Sequence, residues 1–133
     1  MKKILVSLAA ALSLAILAPG CKGPVLFFPG GALEGPEASL SEAKIPDDGV
    51  IQLETRPGDP YSVNVGFVEI EGAIYIDPAP ERAWYAYIAA NPQIRIRLEG
   101  TRTIFPATAM AVSDAKTLAR FPAGRKVLKL VPR

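Results

Sequence analysis

Histidine is missing from all 133 residues, and cysteine occurs once. Without imidazole there is no Ser-His-Asp arrangement and no His-held metal, so any catalysis rests on carboxylates or on a cofactor. The single Cys21 has no disulfide partner within the chain. Net charge is scarce as well. There are 15 Lys and Arg against 13 Asp and Glu, and setting aside Lys2 and Lys3 leaves 13 of each sign. Nucleic-acid binding draws on a clustered excess of Lys and Arg, so no nucleic-acid partner is expected.

The one long apolar run, Ile4–Leu17, is shorter than the roughly 20 residues a membrane span needs. Lys2 and Lys3 precede it, and Ala18-Pro19-Gly20 lead from it to Cys21. This is the pattern of an export signal over residues 1–20. A cysteine immediately after such a signal resembles a bacterial lipoprotein, which implies a lipid on Cys21, a membrane partner through that lipid, and a place in the cell envelope facing away from the cytoplasm. Residues 21–45 are then expected as a tether and irregular approach. Pro24-Val25-Leu26-Phe27-Phe28 reads as a short apolar extended piece that Pro29-Gly30-Gly31 turns.

Residues 46–133 carry the folded domain. Ile51 and Leu53 alternate with Gln52 and Glu54, as in a half-buried strand. Arg56-Pro57-Gly58-Asp59-Pro60 is a loop by composition. Tyr61–Ile70 reads as a long strand with Tyr61, Val63, Val65 and Phe67 on one face. Beyond Phe67 the apolar phase passes to Val68 and Ile70, which predicts a β-bulge near Gly66. Glu71-Gly72 makes a hairpin into Ala73–Asp77. Pro78-Ala79-Pro80 leads into a helix with Glu81 in its first turn and Trp84, Tyr87 and Ile88 on one face, ended by Pro92. Gln93–Leu98 alternates again, Ile94, Ile96 and Leu98 inward, Arg95 and Arg97 outward. Thr101–Val112 contains Pro106, which predicts an edge position or a bulge. Ser113 or Asp114 caps a short helix, and Lys126–Val131 closes the chain. The order β-β-β-α-β-β-α-β makes this a mainly β (α+β) chain, an antiparallel sheet curled into a small barrel with one or two short helices.

Thr55-Arg56, Gly58-Asp59-Pro60, Ser62-Val63-Asn64-Val65, the Glu71-Gly72 hairpin, Ala83-Trp84-Tyr85 through Asn91-Pro92, and the terminal Leu128-Lys129-Leu130-Val131-Pro132-Arg133 resemble, in that order, the split β-barrel superfamily of pyridoxamine-phosphate oxidases and deazaflavin-dependent nitroreductases. Pro29-Gly30-Gly31-Ala32-Leu33 is similar to exported members. The resemblance implies a homodimer with FMN or a deazaflavin at its interface, and reduction of quinone-like or nitro acceptors. It assigns phosphate binding to Ser62 and Arg82, ring contact to Asn64, and the pocket wall to Trp84 and Tyr85. Two features depart from it: the doubly basic loop after the first strand is reduced to Arg56-Pro57-Gly58-Asp59, and the familiar Lys is Arg82.

The residues by themselves also admit plainer roles. Trp84 suits a core anchor, Ser62 and Asn64 a solvated strand face, and Arg56 a partner for Glu54 or Asp59. No metal site is expected, and no pair of carboxylates is marked as an acid/base couple. A second expectation therefore stands beside the oxidoreductase: a barrel lipoprotein without a cofactor, acting as a ligand-binding or interaction module.

Overall fold

The computed structural model describes residues 23–133, so the expected export signal over residues 1–20 and the lipid on Cys21 lie outside the described residues. Six strands form one closed antiparallel barrel. They are β1 (Asp48–Thr55), β2 (Tyr61–Ile70), β3 (Ala73–Ile76), β4 (Gln93–Leu98), β5 (Phe105–Ala111) and β6 (Leu128–Pro132). Around the barrel they run β1-β2-β3-β6-β5-β4, and β4 pairs back with β1. Two short helices, α1 (Ala83–Ala90) and α2 (Ala115–Leu118), and a 3-10 turn at Leu40–Glu42 complete the order. Closure leaves no continuous sheet edge to aggregate, and six strands enclose only enough space for side chains.

The alternation of the strands selects the core. Ile51 and Leu53 of β1, Ile74 and Ile76 of β3, Ile94 and Ile96 of β4, and Leu128 and Leu130 of β6 meet inside the barrel. Ala107 and Ala109 of β5 fill the same interior with little volume, which leaves room for the larger residues opposite. Ile88 of α1 is buried against this cluster, while Trp84 and Tyr85 pack on it part-exposed. The Glu71-Gly72 hairpin has the form its sequence predicts. Both residues have positive φ, 52° and 83°, the signature of a type I′ turn, and the Glu69 carboxylate receives the Gly72 N–H.

Three local expectations are corrected. The β1–β2 register runs without interruption from Asp48↔Val68 to Thr55↔Tyr61, so there is no bulge at Gly66. Phe67 points in and Val68 out, and the apparent change of phase is the apolar outer face of the strand's far end. Pro106 is not on an edge: β5 pairs with both β4 and β6. It is tolerated because its nitrogen faces the β6 side beyond Pro132, where that ladder stops, and its carbonyl still accepts the Arg133 N–H. Finally, α1 begins at Ala83 with Arg82 as N-cap, so Glu81 precedes the helix instead of lying in its first turn.

The approach segment is a strap laid over the outside of β1 and β4. Leu33 is buried, and its N–H donates to Glu54 Oε2 at 2.7 Å. Arg95 Nη1 lies 3.0 Å from both oxygens of Glu54, and its Nε is 3.0 Å from Glu37. Arg97 donates to Gln52 at 2.6 Å and to the Glu34 carbonyl at 3.0 Å. Arg95 and Arg97 thus face outward as expected, but they clasp the strap. Every strand of the barrel and its buried cluster lies between Leu40 and Pro132.

Candidate functional site

The barrel closes between β2 and β3 over a short stretch only, which leaves a seam beside it. β3 is four residues long and meets β2 only at Val68–Ile70, so most of β2 has no β3 partner. The start of that edge is taken by the strap: Gly30 and Ser62 exchange both backbone bonds, at 2.8 and 2.9 Å. Alternate residues of an antiparallel strand bond to alternate sides. Asn64 and Gly66, in phase with Ser62, therefore turn their backbone N–H and C=O to the open seam. No backbone bond among the described residues meets them there.

A groove of about 1210 Å³ follows this seam. Its floor is β2 from Val63 to Val68. One wall is the turn Leu26–Phe28, and the other is the segment from Ile76 to Trp84, with Arg125 beside it. Small-molecule sites usually enclose about 300–1,000 Å³, so this is a long open cleft rather than a closed pocket. Arg125 reaches it because Lys126 N–H donates to the Pro78 carbonyl at 3.0 Å, pinning the loop after α2 against the Asp77–Arg82 segment. Its Nε stands 3.8 Å from Asp77. The charged lining is mixed: Arg82 and Arg125 against Asp48, Asp77 and Glu81.

The five residues assigned from the sequence divide. Asn64, Arg82 and Trp84 come together in the groove. The Asn64 side chain donates to the Leu26 carbonyl at 3.1 Å, which fastens the turn to the groove floor. Arg82 is exposed at the foot of α1, and Trp84, two residues on, is half-buried. Ser62 and Tyr85 do not line the groove. Ser62 is fully buried, and its hydroxyl donates to the Gly31 carbonyl at 2.7 Å. Tyr85 turns onto the core. The plain role considered for Arg56 is what the structure shows: its Nε donates to the Asp59 carbonyl at 3.0 Å and its guanidinium lies 4.4 Å from the Tyr87 ring centroid.

Arg125, Asp77 and the open backbone of Gly66 were not found by sequence reasoning. Arg125 sits in a loop marked only by Pro122 and Gly124, and it reaches Asp77 through a contact that no periodicity encodes. Among the described residues no group of three or more Asp, Glu, Cys or His is placed to hold a metal ion.

The cleft suits a flat, partly polar ligand. Its edge offers alternating N–H and C=O groups of the kind a ring of lactam type recognises, its wall offers aromatic faces, and one end offers guanidinium groups for an anion. A planar cofactor with a phosphate tail fits that set. The charged lining of the cleft is mixed, and its outer side is open.

The sequence matches no family model and no curated protein. Solved structures do match. A candidate pyridoxamine 5′-phosphate oxidase of Listeria innocua superposes with a TM-score of 0.54 at 17% identity, over 63% of this chain and 83% of that one. An FAD-binding protein of Mesorhizobium loti gives a TM-score of 0.48 at 14% identity, over 63% of this chain and 78% of the other. With its closed six-strand antiparallel barrel and the unpaired stretch of β2 beside it, the chain has a split β-barrel fold similar to that of the Listeria innocua protein.

Proposed function

We propose that the seam groove binds a flavin-type cofactor, FMN or a deazaflavin, in a homodimeric protein held at the cell envelope through a lipid on Cys21. The observation that carries this reading is the groove itself: an unpaired strand edge at Asn64 and Gly66 flanked by Trp84 and Arg82 in a split barrel. Arg82, exposed and free of any ion pair among the described residues, supplies charge for a phosphate. Arg125 stands beside it, its own charge shared with Asp77. The backbone of Asn64 and Gly66 orients the ring edge, and Trp84 walls one face. Ser62 contributes from beneath by holding the strap. A second copy of the chain supplies the missing outer wall.

Bound there, the cofactor would supply hydride chemistry, and the protein binding, orientation and exclusion of water. Quinone-like or nitro compounds are the acceptors this reading favours.

Two observations favour the non-catalytic alternative. Three carboxylates line the groove against two guanidinium groups, and the Ser62 hydroxyl is engaged with Gly31. A titration with FMN, FAD and deazaflavin cofactor, read by fluorescence and thermal stability, decides between the two. A ligand that binds only the native state at ~100-fold over Kd adds about 2.7 kcal/mol. A shift with one cofactor that Arg82→Ala weakens by about tenfold supports the flavin reading, on the scale of one charge-assisted contact. No shift with any of them from a folded, dimeric protein rejects it.

A further inference from the structure

Beside the groove stands a feature that neither fold nor cofactor requires. Leu26, Phe27 and Phe28 are 74%, 99% and 72% exposed, and Val25 adjoins them. Single exposed apolar side chains are ordinary, but four in succession at one projecting tip are not. The turn is held open. Val25 and Phe28 exchange backbone bonds of 3.1 and 2.8 Å, and Leu26 takes a φ of 51°. Asn64 grips the Leu26 carbonyl, and Pro24 is buried at the base. Held on both sides, the tip has no local way to fold its side chains inward.

We propose that the Val25–Phe28 turn dips into the surface of a lipid bilayer and sets the mouth of the groove at headgroup level. This rests on the lipid-anchored reading given above. Three observations support lipid as the occupant. Val25 is four positions beyond Cys21, so at about 3.3–3.6 Å per residue the start of the turn stays within about 14 Å of the anchoring position. From Cys21 up to Glu34 the only charged side chain is that of Lys22 and there is no carboxylate, which suits anionic headgroups. A two-residue tip flanked by backbone bonds is a wedge, suited to a fluid interface more than to a complementary protein face. Because the same side chains form one wall of the groove, a lipid-dissolved acceptor would enter from the membrane side without crossing water.

The test uses the full chain carrying Phe27→Trp in a Trp84→Phe background, reconstituted in phosphatidylcholine–phosphatidylglycerol vesicles with and without brominated acyl chains. Vesicle flotation reads the anchor, and tryptophan emission reads the turn. Flotation together with blue-shifted emission quenched about threefold by brominated lipid supports the proposal. Flotation with red, unquenched emission means the turn faces water. Flotation with blue, unquenched emission means a protein surface, such as a second copy, covers it. Either result overturns the membrane contact while leaving the anchor in place. Failure to float overturns both. Should the Trp84→Phe background fold poorly, Phe28→Trp in the otherwise unchanged chain is read as the quenching added to that of Trp84.

Discussion

Glu54→Ala should detach the strap. The carboxylate of Glu54 is 5% exposed as a residue and accepts three bonds: from Leu33 N–H at 2.7 Å and from Arg95 Nη1 to both oxygens at 3.0 Å. Removing one partner of a fully buried pair costs about 3–5 kcal/mol, since the charge left behind is unpaired. Here Arg95 is about a quarter exposed and keeps Glu37 at 3.0 Å. The expected loss is therefore smaller, about 2–3 kcal/mol, most of it the desolvated Leu33 N–H and the weakened guanidinium. With a urea slope of about 1 kcal/mol/M for a chain this small, the midpoint should fall by about 2–3 M. Glu54→Gln retains an acceptor for Leu33 and should lose about half as much.

Leu33→Ala gives an independent handle on the same latch. It removes a buried leucine, at about 2–5 kcal/mol. If the strap docks as a unit, the double variant should lose less than the two singles together by at least about 1 kcal/mol, because the first change already undocks what the second would loosen. Strict additivity, or a Glu54→Ala loss below about 0.5 kcal/mol, would refute a docked strap and leave residues 23–38 as a loose leader.

Gly35→Ala tests the path of the strap sterically. A Cβ at Gly35 would collide with the Arg102 carbonyl oxygen, so a loss of about 1–3 kcal/mol is expected by thermal denaturation. Asp114 caps α2 by accepting the Thr117 N–H at 2.9 Å and hydroxyl at 2.7 Å, and these bonds hold its carboxyl below the usual range. A depressed folded value means its contribution is present above the unfolded value and lost as pH falls through the folded one. The Tm gap between wild type and Asp114→Ala should thus be seen at neutral pH and close as pH falls below the usual carboxylate range, with a gap that persists in strong acid excluding the cap as its source.

What the sequence made legible follows from its periods. Ile51 and Leu53, Ile94 through Leu98, and Leu128 and Leu130 alternate strictly, and each reached the core on the expected face. Glu71-Gly72 carries its turn type in its own chemistry. Where apolar residues occupied both faces, as at Val68 and Ile70, alternation alone misled: a strand that outruns the core has no polar side to mark its phase. The strap left no local signal. Leu33 meets Glu54 across 21 residues, and Glu37 meets Arg95 across 58. Such contacts are set by barrel closure, which brings β4 beside β1 and stacks Glu54 against Arg95 in register.

Site residues follow the same division. Asn64, Arg82 and Trp84 come together in the groove because they lie on elements whose order the sequence reveals. Ser62 was on the right strand and the right face of the seam, but the strap reaches that part of the edge first. Gly30 takes its backbone, Gly31 takes its hydroxyl, and the open stretch begins only after it. At the other end β3 begins pairing at Val68. The groove is therefore measured out by two competitors for one strand edge, and its length depends on both. A longer β3 or a strap shifted two residues along β2 would pair Asn64 or Gly66 and seal the seam. Strap and site are then one device. A variant that undocks the strap at Glu54 should lengthen the open edge to include Ser62, freeing a buried hydroxyl toward the phosphate proposed at Arg82.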